Sequence, residues 1–118
     1  MADILIAEDV DVQATLIRRY LEGAHTVVDV VTTDDDAVEA VRATSPDAVV
    51  MDLNLQRGDG IDATEAIRGF DSDVAIVVST VSVDEEAQER AFEAGADEYL
   101  VKPYRQQELL DAVESAIG

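Results

Sequence analysis

The sequence predicts an α/β domain: a doubly wound, five-stranded parallel sheet with helices on both faces. Two observations carry that expectation. Short runs rich in Val and Ile recur five times, and a stretch with apolar residues at helical spacing follows each of them. Strict alternation of strand and helix selects a parallel sheet, because crossover helices return the chain to the same edge before each new strand. The 118 residues fit one domain with a real core, so residues 1–118 are expected to form a single unit with no output domain.

The first strand is Ile4-Leu5-Ile6, and the helix after it carries Val12, Leu16, Ile17, Tyr20 and Leu21, with Gly23 as its stop. Val27 to Val31 forms the second strand, where Asp29 introduces alternation and so an edge character. His25, the single histidine, precedes that strand and is expected to be exposed. Asp34 to Asp36 suit the positive end of a second helix with the stripe Ala37, Val38 and Val41. Ala48 to Met51 is the third strand; Asp59-Gly60 then reads as a turn and helix start, before the stripe Ala63, Ala66, Ile67 and Phe70. Val74 to Val78 is the fourth strand, followed by Ala87, Ala91, Phe92 and Ala94, closed by Gly95. Tyr99-Leu100-Val101 is the fifth, and Leu109, Leu110, Val113, Ala116 and Ile117 make the clearest helix.

Composition removes several function classes. No apolar run approaches the roughly 20 residues needed to span a bilayer, and Met1-Ala2-Asp3-Ile4 lacks the basic start of a signal peptide. Cysteine is absent, which excludes disulfides and thiolate metal sites. A cytoplasmic protein is expected. The 27 acids against 8 bases give a net charge of −19, a surface that repels nucleic acid and anionic membranes. Seven of the bases are arginine and one is lysine, Lys102. That balance resembles proteins of salt-loving organisms, in which salt screens the self-repulsion. An acidic binding role is the competing explanation.

In open parallel α/β sheets, ligands bind beyond the carboxyl ends of the strands. The residues ending each apolar run are therefore the candidates: Glu8 and Asp9 after the first strand, Asp52 after the third, Ser79 and Thr80 after the fourth, and Lys102-Pro103 after the fifth. Asp52 stands out, because it interrupts Val49-Val50-Met51 and Leu53 where hydrophobic patterning asks for no acid. Carboxylates brought so close repel unless a cation sits among them, and hard oxygen ligands suit Mg²⁺ shared with a phosphoryl group. Asp52 would then serve as a nucleophile that accepts the phosphoryl group. Lys102 supplies a compact point charge that a planar guanidinium would not.

An acid pair after strand 1, Asp ending strand 3, Ser/Thr ending strand 4 and Lys-Pro ending strand 5 stand here as Glu8-Asp9, Asp52, Thr80 and Lys102-Pro103. With that set in order, the chain resembles the receiver domains of two-component response regulators, close in extent to the stand-alone chemotaxis type. The resemblance implies a flavodoxin-like (β/α)5 fold with strand order 2-1-3-4-5. It implies that Glu8, Asp9, Asp52 and the backbone carbonyl of Asn54 hold Mg²⁺, Asp9 more directly than Glu8. Asp52 would be the phosphoacceptor, with Lys102 pairing with it and with the phosphoryl oxygens. Thr80 and Tyr99 would form the switch, and Lys102-Pro103 would be a cis peptide. The donor would be a histidine kinase or phosphotransfer protein. The downstream partner would dock on the face of the fourth helix, fifth strand and fifth helix, and a phosphorylation-dependent dimer stays open. Nothing follows the last helix, so the expected output is docking alone or a domain left behind on a longer chain.

Three departures from the family pattern stand out. Gln56 replaces the usual proline four residues after the phosphoacceptor, Val81 replaces a small residue after the switch hydroxyl, and Ser79 adjoins Thr80 as a rival hydroxyl. Each candidate also has a plainer explanation. Glu8 and Asp9 would suit a solvated helix N-terminus, Thr80 an N-cap, and Tyr99 a half-buried strand position. A phosphatase of the haloacid dehalogenase type wants a second acid where Asn54 stands. A flavin carrier needs a Ser, Thr and Gly loop where Glu8-Asp9-Val10-Asp11 stands. A calcium loop would need glycine at Arg57 and an acid at Ala63. The alternative of another kind is a receiver-like interaction module that signals unphosphorylated.

Overall fold

The computed structural model describes all of residues 1–118. Strands β1 (Asp3–Ala7), β2 (Thr26–Val31), β3 (Ala48–Met51), β4 (Ala75–Thr80) and β5 (Glu98–Val101) alternate with helices α1 (Asp11–Glu22), α2 (Asp34–Thr44), α3 (Gly60–Arg68), α4 (Glu85–Ala94) and α5 (Gln106–Ile117). The sheet runs β2-β1-β3-β4-β5 with every neighbouring pair parallel, the expected order.

The period-two geometry of the strands divides the core into two layers. Leu5, Ala7, Val49, Met51, Ile76 and Val78 point to one face, where α2, α3 and α4 cover them with Val41, Ile67 and Ala91 among others. Ile4, Ile6, Val50 and Val77 point to the other, covered by Ile17 and Leu21 of α1 and Leu109 and Val113 of α5. The central strands β1, β3 and β4 are buried on both faces and need the continuous apolar runs that the sequence shows. Both β2 and β5 are edges and only half buried, so the edge character assigned to β2 belongs to β5 as well.

Helix starts are specified locally. Thr33, Asp59 and Asp84 each accept a backbone N–H of the first turn of α2, α3 and α4, at 3.1, 2.8 and 3.0 Å. The apolar stripes read from the sequence are broader than the arcs that pack. Val12 and Leu16 on α1, Phe92 on α4 and Ile117 on α5 are exposed. Phe70 lies beyond the end of α3, beneath the Arg42 guanidinium at 4.0 Å from its ring centre. A second correction concerns His25, which is buried and not exposed. Its Nδ1 accepts the backbone N–H of Ala2 at 3.0 Å, tying the start of β1 to the start of β2.

The fourth strand extends past Val78 to Ser79 and Thr80, because both continue the ladder against Leu100 and Val101 of β5. That extension carries two hydroxyls to the carboxyl edge of the sheet in fixed positions. Arg68 braces the opposite edge: its guanidinium donates to the carbonyls of Gly95, Asp71 and Val74 at 3.0, 3.2 and 2.6 Å and to Asp97 at 3.0 Å.

Candidate functional site

The sheet's hydrogen-bond ladder runs one residue beyond β1, β3 and β5 at the carboxyl edge, and this sets the site. The backbone N–H of Glu8 donates to Val31 O at 2.9 Å, that of Asp52 to Ala7 O at 2.9 Å, and that of Lys102 to Thr80 O at 2.7 Å. Glu8, Asp52 and Lys102 therefore spring from backbone fixed to the neighbouring strand. Gly60, the first residue of α3, allows the helix to pass directly under this edge; a Cβ there would stand 2.2 Å from the Asp52 carbonyl oxygen.

Glu8, Asp9 and Asp52 meet there, with one carboxylate oxygen from each lying within 4.8 Å of the others. Glu8 and Asp52 are buried and Asp9 is exposed. Lys102 reaches both buried acids, pairing with Glu8 Oε1 and with Asp52 Oδ2, the latter at 3.0 Å. The second oxygens are held by backbone: Asn54 N–H donates to Asp52 Oδ1 at 3.0 Å, and Val10 N–H to Glu8 Oε2 at 3.2 Å. Three carboxylates meet beside one ammonium that pairs with only Glu8 and Asp52, so with all three ionised two negative charges are left uncompensated at an edge of the fold. Burial pushes the Glu8 carboxyl above its ordinary value of 4.5; the Lys102 hydrogen bond opposes this, and Asp52 adds to it.

The residues expected from the sequence fall in two places. Glu8, Asp9, Asp52 and Lys102 form the cluster itself, and Asn54 and Val81 line the cleft beside it. Thr80 is fully buried at the tip of β4, its Oγ1 accepting Ser82 N–H at 3.3 Å. It is not the cap of α4, a role Asp84 fills. Tyr99 is half buried, donates its hydroxyl to Ser82 O at 3.1 Å and packs near Phe92. Thr80 and Tyr99 thus hold the same β4–α4 loop from two sides. The Lys102–Pro103 peptide is cis.

Two features were not read from the sequence. Glu8 is a partner of Lys102, a pairing across 94 residues that no local pattern signals. Ser79 points to the other face from Thr80 and shares a 2.7 Å hydrogen bond with the Tyr104 hydroxyl. Burial pushes the Tyr104 phenol up to about 12 despite that bond, with Glu8 and Asp52 contributing. The rival hydroxyl is therefore engaged away from the cluster.

The family relation follows from sequence comparison as well as from this geometry. Residues 4–114 match the response regulator receiver domain. The chain belongs to that family. Among curated proteins, this receiver is 32% identical to the chemotaxis protein CheY of Halobacterium salinarum over 97% of its own length and 95% of that protein. It is 34% identical to the transcriptional regulatory protein BaeR of Escherichia coli, but spans only 47% of that longer chain. Among solved structures, a two-component response regulator of the LuxR family from Aurantimonas superposes with a TM-score of 0.94 at 34% identity, covering 99% of this chain and 85% of that one. The receiver domain of the sensor histidine kinase PA1611 of Pseudomonas aeruginosa, solved with a magnesium ion coordinated in its active-site cleft, superposes at 0.90 with 31% identity and coverage of 99% and 98%. This receiver is accordingly a phosphorylation-dependent signalling switch of two-component systems, a signalling domain and not an enzyme in the usual sense. Its acidic cluster is one that could hold a metal ion, and none of its helices is long and apolar enough to cross a membrane.

Proposed function

We propose that Asp52 accepts a phosphoryl group from a phosphohistidine on a kinase or phosphotransfer protein, in a site that takes Mg²⁺ on Glu8, Asp9, Asp52 and the Asn54 carbonyl. The observation that carries this is the shortage of positive charge at the strand tips, where three convergent carboxylates lie beside a single ammonium that pairs with two of them. A divalent cation supplies the two missing charges, and the hard oxygen donors fit Mg²⁺. When bound, it would neutralise the carboxylates and polarise the phosphoryl oxygens.

The residues of the chain do the rest. An Asp52 carboxylate oxygen attacks phosphorus in line, the new O–P bond forming as the donor's P–N bond breaks and the electron pair leaves with the imidazole. Lys102 holds Asp52 in place beforehand and stays near enough to neutralise charge spreading onto the equatorial oxygens. Thr80 would give up its role as acceptor from Ser82 N–H and donate its own proton to a phosphoryl oxygen. That exchange pulls on the loop which Tyr99 also grips, and so couples the site to α4 and β5. The exposed Phe92 and Val101 on those elements give a partner apolar purchase on the α4–β5–α5 face, the same surface a phosphorylation-dependent dimer would use. Hydrolysis of the acyl phosphate then resets the switch. The acidic surface and single lysine support salt adaptation of a cytoplasmic protein.

The deciding experiment is incubation with acetyl phosphate and Mg²⁺ in high-salt buffer, followed by intact mass. One added phosphoryl group is expected, absent in Asp52→Asn and absent without Mg²⁺. A folded protein that gains no mass from acetyl phosphate or from a phosphorylated kinase would reverse the conclusion in favour of an interaction module that works unphosphorylated.

A further inference from the structure

The loop between β3 and α3 carries Asn54, and in this chain it lacks the proline expected at position 56. The structure shows what holds it instead. Gln56 N–H donates to Thr32 O at 2.9 Å, and Asp34 N–H donates to Arg57 O at 3.1 Å. Thr32 Oγ1 donates to Gln56 Oε1 at 3.2 Å. Three hydrogen bonds therefore tie this loop to the β2–α2 connection, and the first needs a backbone N–H that proline does not have. The loop also closes on itself through an antiparallel bridge between Asn54 and Asp59 and a 3.0 Å bond from Gly60 N–H to Leu53 O. Gly58, at φ +73°, leaves the space into which the Asp34 carboxylate fits; a Cβ at position 58 would lie 1.9 Å from Asp34 Oδ2.

We infer that Thr32 and Asp34 form a positioning clasp that sets the Asn54 carbonyl toward the metal site, doing through the neighbouring loop what a proline would do within the loop. The inference rests on the Mg²⁺ reading of the site. Asn54 is two residues from Gln56 and donates its own N–H to Asp52, so a shift at Gln56 is carried to the carboxylate and carbonyl that would hold the cation. Groups that orient metal ligands affect affinity strongly although they never touch the ion. The clasp residues are accordingly positioning residues, with no part in the chemistry itself.

Asp34→Pro isolates the effect. Asp34 is the first residue of α2, where proline is well accepted, and the preceding Thr33 has the extended backbone (φ −123°, ψ 160°) that a following proline requires. The substitution removes the N–H that bonds Arg57 O and leaves the helix intact. Asp34→Ala keeps that N–H and controls for loss of the carboxylate charge. Gly58→Ala provides a second route, since a residue with a Cβ is strained at φ +73° and disturbs the backbone that carries the neighbouring Arg57 carbonyl. Mg²⁺ affinity is measured by calorimetry, and exchange of the Gln56 amide by NMR. Relative to Asp34→Ala, Asp34→Pro is expected to weaken Mg²⁺ binding about three- to tenfold and to speed Gln56 exchange by a similar factor, the effect of losing one hydrogen bond. Gly58→Ala should change both in the same direction. Equal Mg²⁺ affinities in all three variants, or an unchanged Gln56 exchange rate, would overturn the clasp while leaving the metal site standing. A wild-type protein that binds no Mg²⁺ would overturn the site and the clasp together.

Discussion

Glu8 offers the sharpest test of how charge is balanced at the sheet edge. Its side chain is 1% exposed, and it faces Asp52 across the ammonium they share. Burial holds its carboxyl above 4.5, more than the Lys102 hydrogen bond can offset, so the folded chain binds this proton more tightly than the unfolded chain. The stability that comes with the proton is fully present below pH 4.5 and is lost as pH rises through the folded-state value. In that window the slope of unfolding free energy against pH owed to Glu8 has a ceiling of one proton, about 1.4 kcal/mol per pH unit. Glu8→Gln keeps the size and an accepting oxygen for Lys102, but removes the titration and one of the two buried anions. The assay is urea unfolding of both proteins in high salt with EDTA, at intervals from pH 4.5 to 8. High salt screens the repulsion from the net charge of −19, which the two proteins otherwise share to within one unit. The wild type is expected to lose stability relative to the variant above pH 4.5 and to level off once Glu8 is ionised in the fold. Saturating Mg²⁺ should flatten the wild-type curve, because a cation among the acids favours their ionised forms. A stability difference that stays constant over the whole range would refute this account of Glu8.

Three further outcomes are expected. Tyr104→Phe removes the hydroxyl bonded to Ser79 at 2.7 Å and should cost about 1 kcal/mol in denaturant unfolding. Because burial pushes that phenol up to about 12, absorbance at the tyrosinate band should show a step there in the wild type that the variant lacks; identical titrations would contradict the assignment. Arg68→Lys cannot reproduce a fork that serves the carbonyls of Gly95, Asp71 and Val74 and the carboxylate of Asp97, and should cost about 2–4 kcal/mol, read as a lower melting temperature; an unchanged one would mean the fork is dispensable. Val81→Ala removes a branched side chain, 62% exposed, from the mouth of the cleft beside Asp52 and Lys102, and should shorten the lifetime of the phosphorylated form, an effect that equal half-lives would disprove.

The alternation of strand and helix was legible because it depends on periodicity, and periodicity is local; the strand order came from the family resemblance alone. Continuous apolar runs at β1, β3 and β4 announce strands covered on both faces, and Asp29 announces an edge. The residues of the site were legible for a related reason: in a parallel sheet the strand tips are the site, so ending each apolar run names its members. What could not be read is every pairing that depends on packing between distant segments. Nothing near His25 indicates that Ala2 will close over it, and nothing near Glu8 indicates that Lys102 will lie against it. Helical stripes were overdrawn for the opposite reason. Val12, Leu16 and Phe92 have the right spacing, but a helix on the outside of a sheet buries only the arc that faces the strands.

Those unreadable pairings govern how the site can respond. Backbone at Glu8, Asp52 and Lys102 is bonded into the ladder, so the two buried carboxylates cannot relieve their repulsion by a backbone shift. Relief must come from a proton on Glu8 or from a cation. The first makes stability fall as pH rises, and the second makes it rise with ligand, by about 2.7 kcal/mol at a hundred times the dissociation constant. Phosphorylation would add charge, and with rigid strand tips the adjustment is left to segments outside the ladder. Those segments are the β3–α3 loop held by Thr32 and Asp34 and the β4–α4 loop held by Thr80 and Tyr99. On the proposed function, a rigid sheet under this charge cluster would send a change of charge at Asp52 outward, and the hydrogen bonds on those two loops would decide how far it travels.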